Sequence, residues 1–322
     1  SITVLKDAAS AAVYGARGAF GVILITTRNP EMGKTTVTYD GSVSLIGRTI
    51  QWEDNVVTDP VEWVEAWRES YMNSSPAAMV PSKFNNYMPY SDKWFSELKR
   101  KKSVGDMTTC EVNPDGNYAY YGQTNWLSEI YRETNMATSH SVTVQSGKKD
   151  ANWYVSGRYY GHNGIYKVGD EKYRRYNFRA KGSVKIRPWM ALSNNISFMK
   201  STYHQPMVNN QQMITRQLDL YAYPFAILRN PDGTWTETAV RSGYTSFAEG
   251  TSWQENSKMT ISSTSALTLD IIRNRLKLSA DFTYRAGRHV CDKMENKYTY
   301  WSGTDVSGTD KASSSLENKT YK

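Results

Sequence analysis

Along Thr36–Leu45 the side chains alternate: Val37, Tyr39, Val43 and Leu45 fall on one face, Thr36, Thr38, Asp40, Ser42 and Ser44 on the other. A period of two is the mark of a β-strand whose two faces meet different surroundings. In Arg175–Arg187 the pattern repeats, with Tyr176, Phe178, Ala180, Val184 and Ile186 opposed to Arg175, Asn177, Arg179, Lys181, Ser183, Lys185 and Arg187. It recurs in Ser139–Ser146, Asn152–Tyr160, Met190–Lys200, Lys258–Ile271 and Arg275–Arg285. Several of these seven strands exceed the usual length of about 5–6 residues.

The connections alternate long and short. Thr49–Thr138 is long, Gly147–Asp150 short, Gly161–Lys172 intermediate, Pro188–Trp189 short, Ser201–Ser257 long and Ile272–Asn274 short. Bacterial outer-membrane barrels sort their connections this way, with short turns at one rim and long loops at the other. A soluble sandwich has no reason to. Seven strands leave the chain on the long-loop side, with Ala286–Lys322 outside and the sheet unclosed. Lipid does not tolerate an open sheet edge. The expected fold is therefore all-β membrane: a partial antiparallel transmembrane β-barrel, open in this fragment and completed by strands beyond Lys322. Its free edges would be Thr36–Leu45 and Arg275–Arg285, and its long outer loops about 49–138 and 201–257.

Residues before the first barrel strand read strand, helix, strand: Ile2–Lys6 extended, Ala8–Tyr14 helical behind an Asp7 cap, and Val22–Thr27 a β-branched strand. Gly15 suits the helix stop. The glycines at 15, 18 and 21 are not a dinucleotide fingerprint, because they close a helix and open a strand, where that motif needs the reverse.

Composition narrows the class. Mean hydropathy is −0.63, and the longest aliphatic run, Val22–Ile25, is far short of the ~20 apolar residues a membrane helix needs. A barrel averages out as polar, so it survives this test. The aromatic residues are mostly Tyr (23) and Trp (10), with 8 Phe. That bias suits interfacial girdles and sugar-binding surfaces equally. The net charge of +8 is spread along the chain, and Lys99–Lys102 reads as a short solvated face, so nucleic-acid binding is not implied. Cys110 and Cys291 have no CxxC spacing and no nearby His pair, so no metal site is expected. Ser1 opens without Met or signal-peptide features, and the chain reads as part of a longer product.

Ser1–Thr27 closely resembles the segment that ends the plug domain of SusC/RagA-type TonB-dependent outer-membrane transporters. Val4-Leu5-Lys6-Asp7, Tyr14-Gly15, Arg17, Gly18, Gly21-Val22 and Thr26-Thr27 carry the likeness. Asn125–Arg132, Ser139–Gly147 and Val155–Tyr160 with Gly164-Ile165 resemble the approach to that family's second and third strands. The resemblance covers roughly Ser1–Lys200 well and the remainder by architecture. It implies that residues 1–33 end a plug and residues 34–322 begin a barrel of about 22 strands. It also implies energy-coupled import of large polar nutrients, most often oligosaccharides, under a SusD-like surface lipoprotein. The TonB complex would act through an N-terminal segment absent here. Peptide uptake by the same architecture is the alternative, as is a surface receptor that captures glycans without moving them.

No catalytic constellation is visible: His140, His162, His204 and His289 are scattered singly, and neither an enzyme nor a cofactor is expected. Arg17 either latches plug to barrel or fixes its own Gly-rich turn by a local bond. The basic row Arg175, Arg179, Lys181, Lys185 and Arg187 would line the lumen, either attracting anionic substrates or pairing with plug carboxylates. In the outer loops, Trp63 and Trp67 sit at i and i+4 on a helix begun by Asp59-Pro60, a spacing that anchors a helix. Trp52, Trp94 and Trp126 share that loop. Trp235, Trp253 and Tyr244, in the later loop, are candidates for contact with substrate or lid. Trp153, Tyr159, Tyr176 and Trp189 suit the girdles. Both cysteines fall in outer loops, where pairing stays open.

Overall fold

Alternation of this kind builds one sheet with two unlike faces. The computed structural model describes residues 2–12, 14–18, 20–25, 33–49, 55–74, 79–208, 214–272, 275–304, 307–309 and 315–321. Its first unit is β1 (Ile2–Leu5), α1 (Ala8–Ala12), a 3-10 turn at Gly15–Gly18 and β2 (Val22–Ile25). β1 and β2 pair antiparallel, Ile2 opposite Ile25 and Leu5 opposite Val22. Gly21 turns the chain with φ +94°, where a Cβ would lie 3.3 Å from the Leu5 carbonyl.

β3 (Gly33–Gly47) then opens the large sheet. The outer segment that follows holds α2 (Pro60–Met72), β4 (Lys83–Phe84), β5 (Met88–Pro89), α3 (Asp92–Ser103), β6 (Thr108–Val112), β7 (Tyr118–Gly122) and α4 (Trp126–Ile130). Four long strands come next: β8 (Thr134–Lys148), β9 (Ala151–Asn163), β10 (Lys172–Arg187) and β11 (Met190–Pro206). A second outer segment carries α5 (Ile214–Tyr221), α6 (Glu237–Arg241) and α7 (Tyr244–Glu249). The chain ends in β12 (Trp253–Ile272), β13 (Leu276–Glu295), a small hairpin of β14 (Thr299–Trp301) and β15 (Ser307–Thr309), and β16 (Ser315–Tyr321).

The eight sheet strands pair in the order β16-β13-β12-β11-β10-β9-β8-β3, all antiparallel. The seven expected strands are present and the sheet is not closed. Two corrections follow. The chain from Ala286 does not simply leave the sheet: β13 runs on to Glu295 and β16 covers its outer part, His289–Glu295, while Arg275–Arg285 stays an edge among the described residues, as expected. Cys291 belongs to that extended strand and not to a loop. The alternation fades past Arg285, so the strand's continuation and its partner β16 (SLENKTY) leave little periodic signal in the sequence.

Register fixes the faces. Val37, Val142, Val155, Phe178, Ile196, Ile261 and Phe282 share one side with Leu45, Tyr176 and Leu278. Large apolar side chains there are bare, Leu45 at 81% and Phe282 at 71% exposure. Tyr39, His140, Tyr159 and Tyr176 form a ladder over four adjacent strands of that face, ring centroids 6.2, 6.5 and 5.2 Å apart. Trp153 and Trp189, at the short-turn end, are also exposed. The opposite face is polar from Asp40 through Ser141, Arg158, Asn177, Ser197 and Ser262 to Arg285.

The buried apolar core lies elsewhere, in the outer segments. Asp59 caps α2, its Oδ1 accepting from Val61 and Glu62 N–H, with Pro60 in the first turn. The helix thereby sets Trp63 against Phe84, Tyr223 and Phe225, and Trp67 against Phe84 and Tyr90. Trp94 joins this core through Phe84 and Phe225, and Trp126 through its indole N–H to the Tyr223 carbonyl at 2.9 Å. Trp52 lies outside the described residues.

Candidate functional site

All the long connections leave the same end of the sheet, and they fold together. Gly122 N–H donates to the Phe225 carbonyl (2.7 Å) and Thr124 N–H to the Pro224 carbonyl (2.8 Å), joining the first outer segment to the second. The third attaches by Tyr118 N–H to the Ser302 carbonyl and Thr304 N–H to the Gly116 carbonyl. At the junction sits Asn230. Its Oδ1 accepts from the Tyr120 hydroxyl, and its Nδ2 donates to Thr234 Oγ1 and the Trp301 carbonyl, each at 2.9 Å. One folded cap results.

The Lys99–Lys102 run keeps its solvated face at Lys99, Arg100 and Lys102, and only Lys101 departs from it. The run forms the last turn of α3, where cations favour the helix dipole, and each member has a carboxylate. Lys99 pairs with Glu65, Arg100 with Glu97 and Lys102 with Asp59. Lys101 is only 4% exposed. Its ammonium lies 2.8 Å from Glu111 and 3.2 Å from Asp106, and the bond to Glu111 raises its pKa above the ordinary lysine value. This clamp holds the β6–β7 hairpin against α3. Between them opens a cleft of about 820 Å³ whose lining includes Tyr90, Trp94, Arg100, Glu111, Tyr118 and Tyr121. Sequence reading did not single it out, since its rings come from three elements.

The other candidates are spread over the molecule. Trp235 has one face under the Arg229 guanidinium at 3.5 Å, and its indole N–H donates to Glu249 Oε1 at 2.8 Å. Tyr244 packs on Trp126 and Trp235 and is 8% exposed, which leaves it no ring face for a ligand. Trp253 stands at the start of β12, stacked on His204 at 5.5 Å. In the first unit, Lys6 and Tyr14 are exposed, Asp7 Oδ1 accepts from Ser10 N–H at 2.8 Å, and Gly15 (φ +62°) and Gly18 bound the 3-10 turn. Arg17 lies within that turn, but its side chain, and with it the choice between a plug-to-barrel latch and a local bond within the turn, falls outside the described set.

On the sheet, Arg175, Arg179, Lys181 and Lys185 occupy the polar face of β10, and Arg187 follows a bulge beside the short turn. Arg179 donates Nε–H to Asn195 Oδ1 at 3.0 Å. Register adds Arg158 of β9, opposite Asn177. Near the long-loop end, Arg158, Tyr160, Tyr173, Arg175 and Asn177 line a hollow of about 400 Å³. Arg158 and the two tyrosines were not foreseen: the intermediate connection between β9 and β10 does not fix their register. Both cysteines are free. Burial pushes the Cys110 thiol up to about 11. Among the described residues no cluster of three potential metal ligands occurs, and no helix is long and apolar enough to cross a membrane.

Comparison with known proteins bears on this architecture directly. The chain is 28% identical over 189 residues to the TonB-dependent receptor SusC of Bacteroides thetaiotaomicron, covering 58% of this chain and 14% of that protein. It is 25% identical over 243 residues to TonB-dependent receptor P3 of Formosa agariphila, covering 73% of this chain and 19% of that one. Over 52 residues it is 48% identical to TonB-dependent receptor P39 of the same organism, 16% of this chain and 5% of that one. All three relatives are TonB-dependent receptors, SusC among them. No family model matches it. The fold agrees: the RagAB peptide importer superposes with TM-score 0.59 in its open-open state and 0.57 in its closed-closed state. Each match has 15% identity and covers 93% of this chain and 32% of that one. In fold the sheet is thus an open segment of a β-barrel wall, and the chain spans a third or less of the proteins it matches.

Proposed function

We propose that this receptor chain supplies the end of a plug, residues 1–33, and the first part of the barrel wall, residues 34–322, of a transporter for large polar nutrients. One observation carries the reading. Over seven paired strands one face is apolar and bare while the other is polar. An uncovered apolar surface of that extent is foreign to soluble proteins. Among the described residues no second sheet packs on it. Lipid of the bacterial outer membrane is the cover that suits it, and the tyrosine ladder with Trp153 and Trp189 provides interfacial anchors. The polar face then lines the lumen, and the cap stands at its external mouth.

In this reading the cargo is an oligosaccharide, drawn in when the TonB complex moves the plug, under a SusD-like lipoprotein that closes on the cap. The aromatic cleft beside Trp94 and the ring of Trp253 offer flat faces to sugar rings or to the lid. A peptide cargo is the second reading, favoured by the likeness of the fold to the RagAB peptide importer. Deleting the intact gene and measuring uptake across a panel of glycans and peptides tests both. Loss confined to glycans supports the first, loss confined to peptides the second, and unchanged uptake of every compound rejects import.

A further inference from the structure

The polar face of β8 to β11 has an unbalanced charge. Arg158, Arg175, Arg179, Lys181 and Lys185 lie on it, and these four strands bring no Asp or Glu to the same side. Among the described residues no ion pair involves Arg158 or Arg175; Arg158 Nε–H donates to Ser139 Oγ at 3.2 Å. Like charges on one wall repel until an anion joins them. In the hollow beside them, the rings of Tyr160 and Tyr173 meet edge to face at 6.1 Å. Asn177 adds an amide that both donates and accepts.

We propose that this hollow binds a carboxylated sugar, a uronate unit of an oligosaccharide, with Arg158 and Arg175 on the carboxylate and Tyr160 and Tyr173 against the ring. A guanidinium presents a planar fork that matches a carboxylate, and tyrosine rings suit the CH faces of a pyranose. The amide and the phenol hydroxyls match its hydroxyl groups. A peptide main chain is served less well. β9 and β10 are hydrogen-bonded on both sides, so no strand edge is open to receive an extended peptide. Arg179, Lys181 and Lys185 continue the cationic track along β10 towards the short turns. This proposal rests on the polar face being the lumen and names the substrate class within the transport reading.

The test measures binding to the full-length receptor in detergent by calorimetry, which does not depend on transport. The probes are tri-galacturonate, its methyl ester as the neutral counterpart, and tri-glutamate. Tri-galacturonate should bind more tightly than the other two, and Arg158→Gln with Arg175→Gln together should weaken it by about tenfold or more. The ester should be unaffected, and Arg158→Lys with Arg175→Lys should restore part of the loss. Should the double variant fail to fold, Arg175→Gln alone is expected to cost several-fold, since that side chain is exposed. Equal affinity for acid and ester, equal binding of tri-glutamate, or an unchanged affinity in the variants would overturn the proposal. If tri-galacturonate binds as expected but gene deletion spares uptake, the transport reading fails and the site stands.

Discussion

The hydroxyl of Tyr120 donates to Asn230 Oδ1 at 2.9 Å across 110 residues of chain, and this buried bond ties two outer segments into one cap. Asn230 is 4% exposed. Asn230→Leu leaves the Tyr120 hydroxyl and the Trp301 carbonyl short of a partner, at a cost of about 2–3 kcal/mol to the cap. Outer-membrane preparations of the full-length receptor should show faster protease cleavage within residues 209–252, with the barrel's resistance unchanged. Cleavage at the wild-type rate would contradict the joint's importance.

Gly122 is needed for closeness, not for an unusual φ. A Cβ there would fall 2.6 Å from Ile227 Cγ2 and 3.1 Å from the Phe225 carbonyl oxygen, which itself accepts from Gly122 N–H. Gly122→Val should separate the segments and cost about 2 kcal/mol or more by overpacking. The same proteolysis assay reads it; Gly105→Ala, at a position open within 4 Å but with φ +76°, should cost about 1 kcal/mol.

Cys110 should react slowly. Its thiol, pushed up to about 11 by burial, is almost wholly protonated at pH 8, and the thiolate is the nucleophile. Iodoacetamide labelling should rise about tenfold per pH unit from 8 to 10. A rate independent of pH over that range would contradict it. Reducing and non-reducing gels should be identical, because both cysteines are free.

The Lys101 clamp has a defined pH window. Its folded pKa is raised, so its contribution is fully present below the unfolded lysine value of about 10.4 and is lost as pH climbs through the higher folded value. Lys101→Met abolishes it at every pH. Asp106 and Glu111 are half-exposed and recover hydration, so the cost is about 1–2 kcal/mol. Protease sensitivity between Thr108 and Gly122 should rise at pH 7; no change would show the hairpin is held by packing alone.

The sheet strands were legible because alternation is a local property: a sheet with one apolar and one polar face writes it residue by residue. Phe178 and Arg179 show this within two positions. Beyond Arg285 the two sides of β13 differ less, and neither the rest of that strand nor β16 announced itself. The cap shows a different limit. Asp59-Pro60 marked α2, yet the environment of Lys101 depends on a hairpin ten residues on and gave no signal. Tyr244 had the composition of a binding residue and the burial of a core one. The hollow joining Arg158 to Arg175 required a register that only the folded strands provide.

The central claim is that the two faces of this sheet meet lipid and aqueous lumen. Cysteine scanning along β10 tests it in the full-length receptor, with Cys110→Ala and Cys291→Ala, in whole cells. Single substitutions Tyr176→Cys to Val184→Cys should label with a water-soluble maleimide at odd positions and stay protected at even ones. A lipid-phase quencher should give the opposite pattern. Uniform labelling, or labelling strongest at Tyr176, Phe178 and Val184, would contradict the barrel wall described here.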